Sequence, residues 1–200
     1  MLSMDTARRT VALINVLCEQ RGVGADAVKA VGEVLVEYGE LEPLGLGEGD
    51  LEELRAAALL LREVFAASDV DSAAAVLNGL LGGVQGRLRL TSHEGAVGWH
   101  PHLDSDDEAP WGEWFLASSV LALTVLLWDR QAPPGGLCAS PSCPHVYLAH
   151  GSGPERRYCS RRCATRERVA AHRRARGGAH SEEARSGGAH SEGARSDGRA

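Results

Sequence analysis

Apolar residues in the first part of the chain recur at spacings of three and four, which is typical of amphipathic helices. Residues 6–19 are mostly apolar and lead into the glycine-containing sequence of residues 21–24, so they predict a first helix. Asp26 is suited to cap a second helix. That helix is expected to end near Tyr38, because Gly39 follows.

Two more helices follow a glycine-rich loop. Asp50 and Glu53 have the spacing of a capping box, and Asp71 is suited to cap a short fourth helix through Leu81. The third helix carries its apolar residues on one face: Leu51, Leu54, Ala58, Leu61 and Phe65.

After a Gly-Gly pair the pattern changes to short alternation. Leu88 and Leu90 precede a turn-like His-Glu-Gly sequence, and Val97 and Trp99 follow it. Their alternation with polar or small residues predicts a short β-hairpin. Residues 100–110 then read as a polar, acidic loop.

A last helix of the body is predicted to begin near Pro110, since proline suits the first helical position. Its apolar stretch, residues 115–128, contains 14 residues. A membrane span needs roughly 17–25, so a buried helix is favoured and no membrane partner is expected. The N-terminus lacks the pattern of a secretory signal, which predicts a cytoplasmic protein with reduced cysteines.

The sequence therefore predicts a mainly α protein in four parts. Residues 1–130 form a helical domain with the short hairpin. Residues 131–137, rich in Pro and Gly, form a linker, and residues 138–176 hold four cysteines and a basic helix that ends at Gly177-Gly178. Residues 177–200 repeat the sequence GGAHSE(E/G)ARS without any large apolar residue, which predicts a disordered tail.

The charge of the chain is unevenly distributed. Residues 1–137 carry 9 basic and 21 acidic side chains, a net charge of −12. Residues 138–176 carry 9 arginines and only Glu155 and Glu167, a net charge of +7. An acidic body joined to a basic end suggests that the basic end seeks a polyanion.

Four cysteines in the basic part have the spacing of a metal site. Cys138 and Cys143 are separated by four residues, and Cys159 and Cys163 by three. Two close pairs joined by a loop allow four thiolates to surround one tetrahedral Zn²⁺. Four free thiols and an iron–sulfur cluster are alternatives, although the spacing matches neither usual ferredoxin pattern.

Histidine ligation is a further alternative for this site. His145 and His150 lie between the two cysteine pairs and could replace one cysteine. The remaining cysteine, Cys18, is expected to be a small buried residue of the first helix.

The same region resembles the CGNR zinc-finger family. The resemblance rests on RRYCS at 156–160, CATR at 163–166 and VAAHR at 169–173. Members of that family join such a finger to an upstream helical domain called ABATE, to which residues 1–130 are similar in length and helix content. The resemblance implies a stress-related transcription regulator. CATR stands where CGNR is expected, and the second pair is one residue closer than in the family.

Arginines follow the second cysteine pair closely. On a helix, Arg162, Arg166, Arg173 and Arg176 share one face, while Cys163 and Ala170 lie on another. Arginine suits both phosphates and guanine edges, so DNA is the predicted partner. A solvated helix and an acidic protein partner are the alternatives. The predicted DNA contacts are Arg156, Arg157, Arg161, Arg162, Arg166, Arg173 and Arg176.

Two other features of the sequence are candidates for ligand binding. The loop from His100 through His102 to Glu108 has two histidines and four acids that could bind a divalent ion. Trp99, Trp111 and Trp114 could line a pocket for a small molecule.

No G-x-S-x-G, P-loop or G-x-G-x-x-G sequence occurs, so an enzyme is disfavoured. The sequence favours a DNA-binding transcription regulator whose body senses a ligand or binds a protein; the alternative is a zinc-scaffolded protein-interaction module.

Overall fold

The computed structural model describes residues 2–20, 22, 24–149 and 156–186. These residues form six helices and two antiparallel two-stranded sheets. The elements are α1 (Leu2–Glu19), α2 (Ala25–Glu37), α3 (Glu48–Ala66), α4 (Val70–Gly83), β1 (Arg89–Thr91), β2 (His100–His102), α5 (Trp111–Arg130), β3 (Gly135–Leu137), β4 (Val146–Leu148) and α6 (Arg161–Ser186). The predicted mainly α fold with a short hairpin is confirmed.

The chain divides into two units, residues 1–159 and residues 160–200. The core of the first unit lies where α3 and α5 pack against each other and against α1. The predicted apolar face of α3 is fully or almost fully buried, as are Phe115 and Leu123 of α5. Burial of such side chains supplies most of the stabilisation of a helical domain.

Helix α5 is, among the described residues, the one helix long and apolar enough to cross a membrane by length and composition. Its buried residues pack against α1, α3 and α4. Gly112 at its start lies so close to α3 that an added Cβ would be 2.6 Å from Cβ of Glu53. This packing accounts for the apolar character of the helix.

The helix caps lie slightly before the predicted residues. Gly24 is the N-cap of α2 and Asp69 that of α4, in place of Asp26 and Asp71. Asp69 accepts a hydrogen bond of 2.8 Å from the amide of Ser72. This bond and those from the Ser72 and Ser68 hydroxyls hold the pKa of Asp69 below its ordinary value.

The first hairpin has a different second strand from the predicted one. β1 pairs with β2, so His100–His102 is a strand where a loop was expected, and Thr91 lies opposite His100. Val97 and Trp99 are exposed residues of the connection instead. Alternation alone could not fix this register, because a two-stranded ribbon has little apolar burial to select it.

The second hairpin joins the helical core of the first unit. The segment predicted as a linker ends in β3, which pairs with β4. Val146 and Leu148 of β4 are buried in the same cluster as the helices, against α1 and α3. The second hairpin therefore belongs to the first unit, which runs to residue 159.

Polar contacts hold the β4 region against the helices. The side chain of Asn15 accepts a hydrogen bond from the Val146 amide at 2.8 Å and donates one to the Val146 carbonyl at 3.1 Å. Arg62 donates to the carbonyl of Pro144, and Arg130 donates to that of Ala149 at 2.7 Å. These bonds satisfy backbone groups that the two-stranded sheet leaves unpaired.

Helix α6 continues past its predicted end. It runs through Gly177-Gly178 to Ser186, so part of the predicted disordered tail is helical. Two glycines cost about 1 kcal/mol each in a helix but do not block it, and Ala and Glu residues that favour helices follow. Residues 187–200, the rest of the predicted tail, lie outside the described residues.

Replacing Asn15 tests how strongly the second hairpin is coupled to the core. Asn15→Ala leaves two backbone groups of Val146 without their partner, so we expect the free energy of unfolding to fall by about 1–3 kcal/mol. Chemical denaturation of the full chain measures this. Asn78→Ala, at an exposed position of α4, is the matched control and is expected to change stability little. Equal effects of the two substitutions would contradict the coupling.

Candidate metal centre

The first cysteine pair lies in the loop between β3 and β4. The amide of Cys138 donates to the carbonyl of His145 at 2.9 Å, and the amide of Cys143 donates to that of Ser140 at 2.9 Å. These bonds turn the loop tightly enough to point both thiols the same way. Cys138 is buried and Cys143 is half-buried.

Two glycines allow the strands beneath this loop to approach. A Cβ at Gly135 would overlap the carbonyl oxygen of Tyr147, and one at Gly136 would lie 2.8 Å from the Tyr147 hydroxyl. Gly135 of the predicted linker is therefore required by close backbone packing, whereas the Tyr147 hydroxyl near Gly136 is the end of a side chain that can shift.

The second pair lies where α6 begins. Cys159 precedes the helix, and Cys163 is buried in its first turn. Ser160 accepts from the amide of Cys163 through its hydroxyl at 3.3 Å and from the amide of Ala164 through its carbonyl at 3.2 Å. Because α6 begins directly after Ser160, one helical turn brings the thiol of Cys163 back to the side of the Cys159 thiol, although only three residues separate the two cysteines.

The four predicted cysteines come together. The sulfur atoms of Cys138, Cys143, Cys159 and Cys163 lie within 4.8 Å of one another. Those of Cys143 and Cys159 are 3.6 Å apart, and the amide of Cys159 points to the sulfur of Cys138 at 3.4 Å. Metal–sulfur bonds of about 2.3 Å in a tetrahedron place sulfurs roughly 3.8 Å apart. The arrangement therefore fits one tetrahedral metal ion, and all five cysteines of the chain are free of disulfides.

Comparison with protein families gives one match on this part of the chain. Residues 136–176 match the CGNR zinc finger family. The match confirms the resemblance drawn from RRYCS and CATR, and we call residues 136–176 the CGNR module. None of the curated proteins compared with the chain matches it.

His145, which lies within the CGNR module, does not join the cysteine group. Nε2 of His145 lies 2.8 Å from a carboxylate oxygen of Glu19, and its Nδ1 lies 3.8 Å from the sulfur of Cys159. His145 thus connects α1 to the cysteine loop. His150, the other candidate, lies outside the described residues. Cys18 packs half-buried against the core, as expected.

Arg156 and Arg157 brace the second cysteine pair. The guanidinium of Arg156 lies over the ring of Tyr147, 5.4 Å from its centroid. It donates to the carbonyl of Tyr158 at 2.9 Å and to that of Cys159. The carbonyl of Arg157 accepts from the amide of Ala139 at 2.8 Å. Arg156 is therefore partly engaged within the CGNR module itself.

The remaining predicted DNA contacts lie on α6. All of the arginine side chains that the structure describes on this helix are exposed. Among them are the predicted contacts Arg161, Arg162, Arg166, Arg173 and Arg176. The less exposed residues are Cys163, Ala164, Glu167 and Ala170, which share another face. Arg166 also lies 3.6 Å from the sulfur of Cys163 and 3.7 Å from Glu167. Arg162, Arg166, Arg173 and Arg176 are thus exposed, and Cys163, Glu167 and Ala170 are less so.

The acidic loop after β2 is ordered by Arg89. Arg89 donates to the carboxylate of Asp104 at 2.7 Å and to that of Asp107 at 2.7 Å. The hydrogen bonds from Arg89 hold the pKa of Asp107 below its ordinary value. His100 and His102 are joined by His93, which the sequence placed in a turn and did not single out as a ligand.

The three candidate tryptophans do not form one pocket. The rings of Trp111 and Trp114 pack edge to face with their centroids 5.2 Å apart, and both residues pack against the core. The guanidinium of Arg9 lies 4.1 Å from the Trp114 ring centroid, and burial lowers the pKa of Arg9. Trp99 is exposed.

A groove of about 410 Å³ lies elsewhere, between α3, the end of α4 and the start of α5, and no tryptophan lines it.

The cysteine group should hold metal as a unit. We expect Cys159→Ser to lose the sulfur-bound metal ion, because three thiolates and a hydroxyl bind it far more weakly. Cobalt substitution gives the measurement, since sulfur-to-cobalt charge-transfer bands report thiolate ligation directly. Cys18→Ser is the matched control and should keep the bands. Retention of full thiolate bands in Cys159→Ser would refute the four-cysteine site.

The glycine below the cysteine loop should tolerate no side chain. Gly135→Ala overlaps the Tyr147 carbonyl, so we expect the free energy of unfolding to fall by about 1–3 kcal/mol and the metal to bind less tightly. Gly79→Ala in α4 meets open space and should stabilise the protein by about 0.5–1 kcal/mol. Thermal unfolding of both variants tests the difference, and a neutral Gly135→Ala would contradict it.

Proposed function

We propose that the chain is a DNA-binding transcription regulator whose CGNR module holds one zinc ion and binds duplex DNA through α6. The observation that carries this proposal is the concentration of exposed arginine on α6. Residues 156–176 contain nine arginines and one acidic residue, Glu167. A high density of cations on a helix surface is the electrostatic footprint of nucleic-acid binding.

Zinc suits the cysteine group better than other ions do. Four thiolates in a reducing cytoplasm select zinc over harder metals, and a four-thiolate site leaves no open position for substrate. Bound zinc would fix the cysteine loops where little hydrophobic core is available. The site therefore supports a structural role for the ion and no hydrolytic one.

The arginine face of α6 is suited to the major groove. Arg162, Arg166, Arg173 and Arg176 lie within about 80° of one another around a helix of 100° per residue. A helix fits the groove, and arginine forms paired hydrogen bonds with phosphates or guanine. The helix also reaches Ser186, which gives it more length than the sequence predicted.

The helical body is proposed to supply the signal. Its groove of about 410 Å³ is lined by small and apolar residues with two acids, Glu53 and Glu113. Such a groove is of the size that takes a small molecule. The net charge of −12 over residues 1–137 would keep the body away from DNA and leave α6 as the contacting surface.

The salt dependence of DNA binding tests the arginine face. The slope of log affinity against log salt is roughly −0.9 for each phosphate neutralised. We expect Arg162→Ala with Arg166→Ala to flatten the slope by up to about two contacts while thiolate-bound metal is retained. Fluorescence anisotropy with a labelled duplex across a range of salt concentrations gives the slope.

The matched control removes two exposed cations from the body. Lys29→Ala with Arg87→Ala makes the same change in net charge outside the CGNR module and should leave the slope unchanged. If the metal-loaded full chain binds no duplex at low salt, DNA binding is wrong and an acidic protein partner becomes the better hypothesis. Equal effects of both double variants would indicate a general charge effect only.

A further inference from the structure

Three histidines meet on the first hairpin, away from the four cysteines in sequence. His100 and His102 lie on the same face of β2, and His93 lies in the connection that precedes it. Their ligand atoms lie within 4.8 Å of one another. All three side chains are half-buried, so the group is open to solvent on one side.

The Nε2 atoms of the three rings converge. Nε2 of His100 is 3.2 Å from that of His93 and 3.0 Å from that of His102. The ring centroids are 4.8–5.0 Å apart, and the rings are tilted or edge to face. Three imidazole nitrogens bound to one ion at about 2.0–2.1 Å in a tetrahedron are roughly 3.3 Å apart. The observed spacing is close to that value.

The opposite nitrogen of each ring faces an acceptor. Nδ1 of His100 lies 2.8 Å from the carbonyl oxygen of Gly98. Nδ1 of His102 lies 2.9 Å from a carboxylate oxygen of Asp104, and Nδ1 of His93 lies 3.3 Å from one of Asp107. A carbonyl or a carboxylate only accepts, so in each neutral ring the proton belongs on Nδ1.

This proton placement leaves three Nε2 lone pairs directed at one point. Nε2 atoms that are 3.0–3.2 Å apart and carry no proton repel one another, and a bound cation relieves this repulsion. Histidines that ligate a metal commonly donate their other N–H to a carboxylate or a backbone carbonyl. Each of the three histidines has both features of such a ligand, an acceptor at Nδ1 and an Nε2 atom that faces the other rings.

The carboxylates behind the rings are themselves held in place. Arg89 bonds both Asp104 and Asp107, and Thr91 donates to Asp107 at 3.2 Å. Asp104 is almost fully buried. The backbone at Asp104 packs so closely on Gly86 that a Cβ there would overlap it.

The backbone of the turn adds an independent sign of a built site. His93 and Glu94 both have positive φ angles, 47° and 57°, although neither is glycine. Such conformations cost energy and tend to persist where function requires them. Here the turn brings the imidazole of His93 towards the two rings of β2.

From these contacts we infer that His93, His100 and His102 form a second metal site, which binds one divalent transition-metal ion such as zinc. Three imidazoles leave a fourth position, open to solvent, for water or a small anionic ligand. Imidazole ligands and thiolates differ in softness, so this site and the cysteine site need not hold the same metal in the cell. The inference does not depend on DNA binding.

Cobalt titration of the full chain, stripped of metal and reduced, tests the site. We expect two equivalents to bind, one with thiolate charge-transfer bands and one with only the weaker visible bands of nitrogen and oxygen ligands. His100→Gln should lose the second equivalent and keep the thiolate bands. His93→Gln, in the turn, should do the same, which guards against one variant that misfolds.

Two further variants complete the test. His172→Gln, at an exposed position of α6, is the matched control and should still bind both equivalents. Asp104→Asn should weaken the second equivalent about 10–100-fold, because it removes the carboxylate behind His102. Binding of the thiolate equivalent alone would overturn the inference. So would a second equivalent that persists in both His100→Gln and His93→Gln, since that metal would be held elsewhere.

Discussion

The arrangement of the first unit depends on the burial of β4 against α1 and α3. Val146 and Leu148 alternate inward from a strand of only three residues, and they are buried in the apolar cluster that the helices form. A two-stranded sheet of this length is not stable alone. The cysteine loop that it carries is therefore held by the helical core.

Because β4 packs on α1 and α3, the stability of the first unit and the geometry of the first cysteine pair depend on the same contacts. Glu19 contacts His145 and Arg62 donates to the carbonyl of Pro144, both close to Cys143 in the chain, while Arg130 donates to the carbonyl of Ala149 just after β4. A displacement of α1 or α3 would therefore move the backbone that carries Cys143 and His145. The structure supplies a physical route between body and cysteine loop without a flexible linker.

Much of this could be predicted from local sequence. Helical periodicity, cap residues and an apolar stretch predicted α1 to α5, and the spacing of the cysteines predicted the candidate metal site, because these signals depend on residues close together in sequence. Gly135 was misleading, since a glycine needed for close strand packing looks the same in sequence as a glycine of a linker. His93 could not be found from sequence, because its role as a ligand depends on the register of β1 and β2 and on a positive φ angle.

The bond between Asn15 and Val146 has a consequence for how the protein behaves at high concentration. The amide and carbonyl of Val146 face away from β3, and they would otherwise be an open template on which a strand from another molecule could add. An asparagine side chain from α1 occupies both positions. The protein thereby protects this edge of the β3–β4 sheet from intermolecular β-pairing and from the aggregation to which such pairing leads.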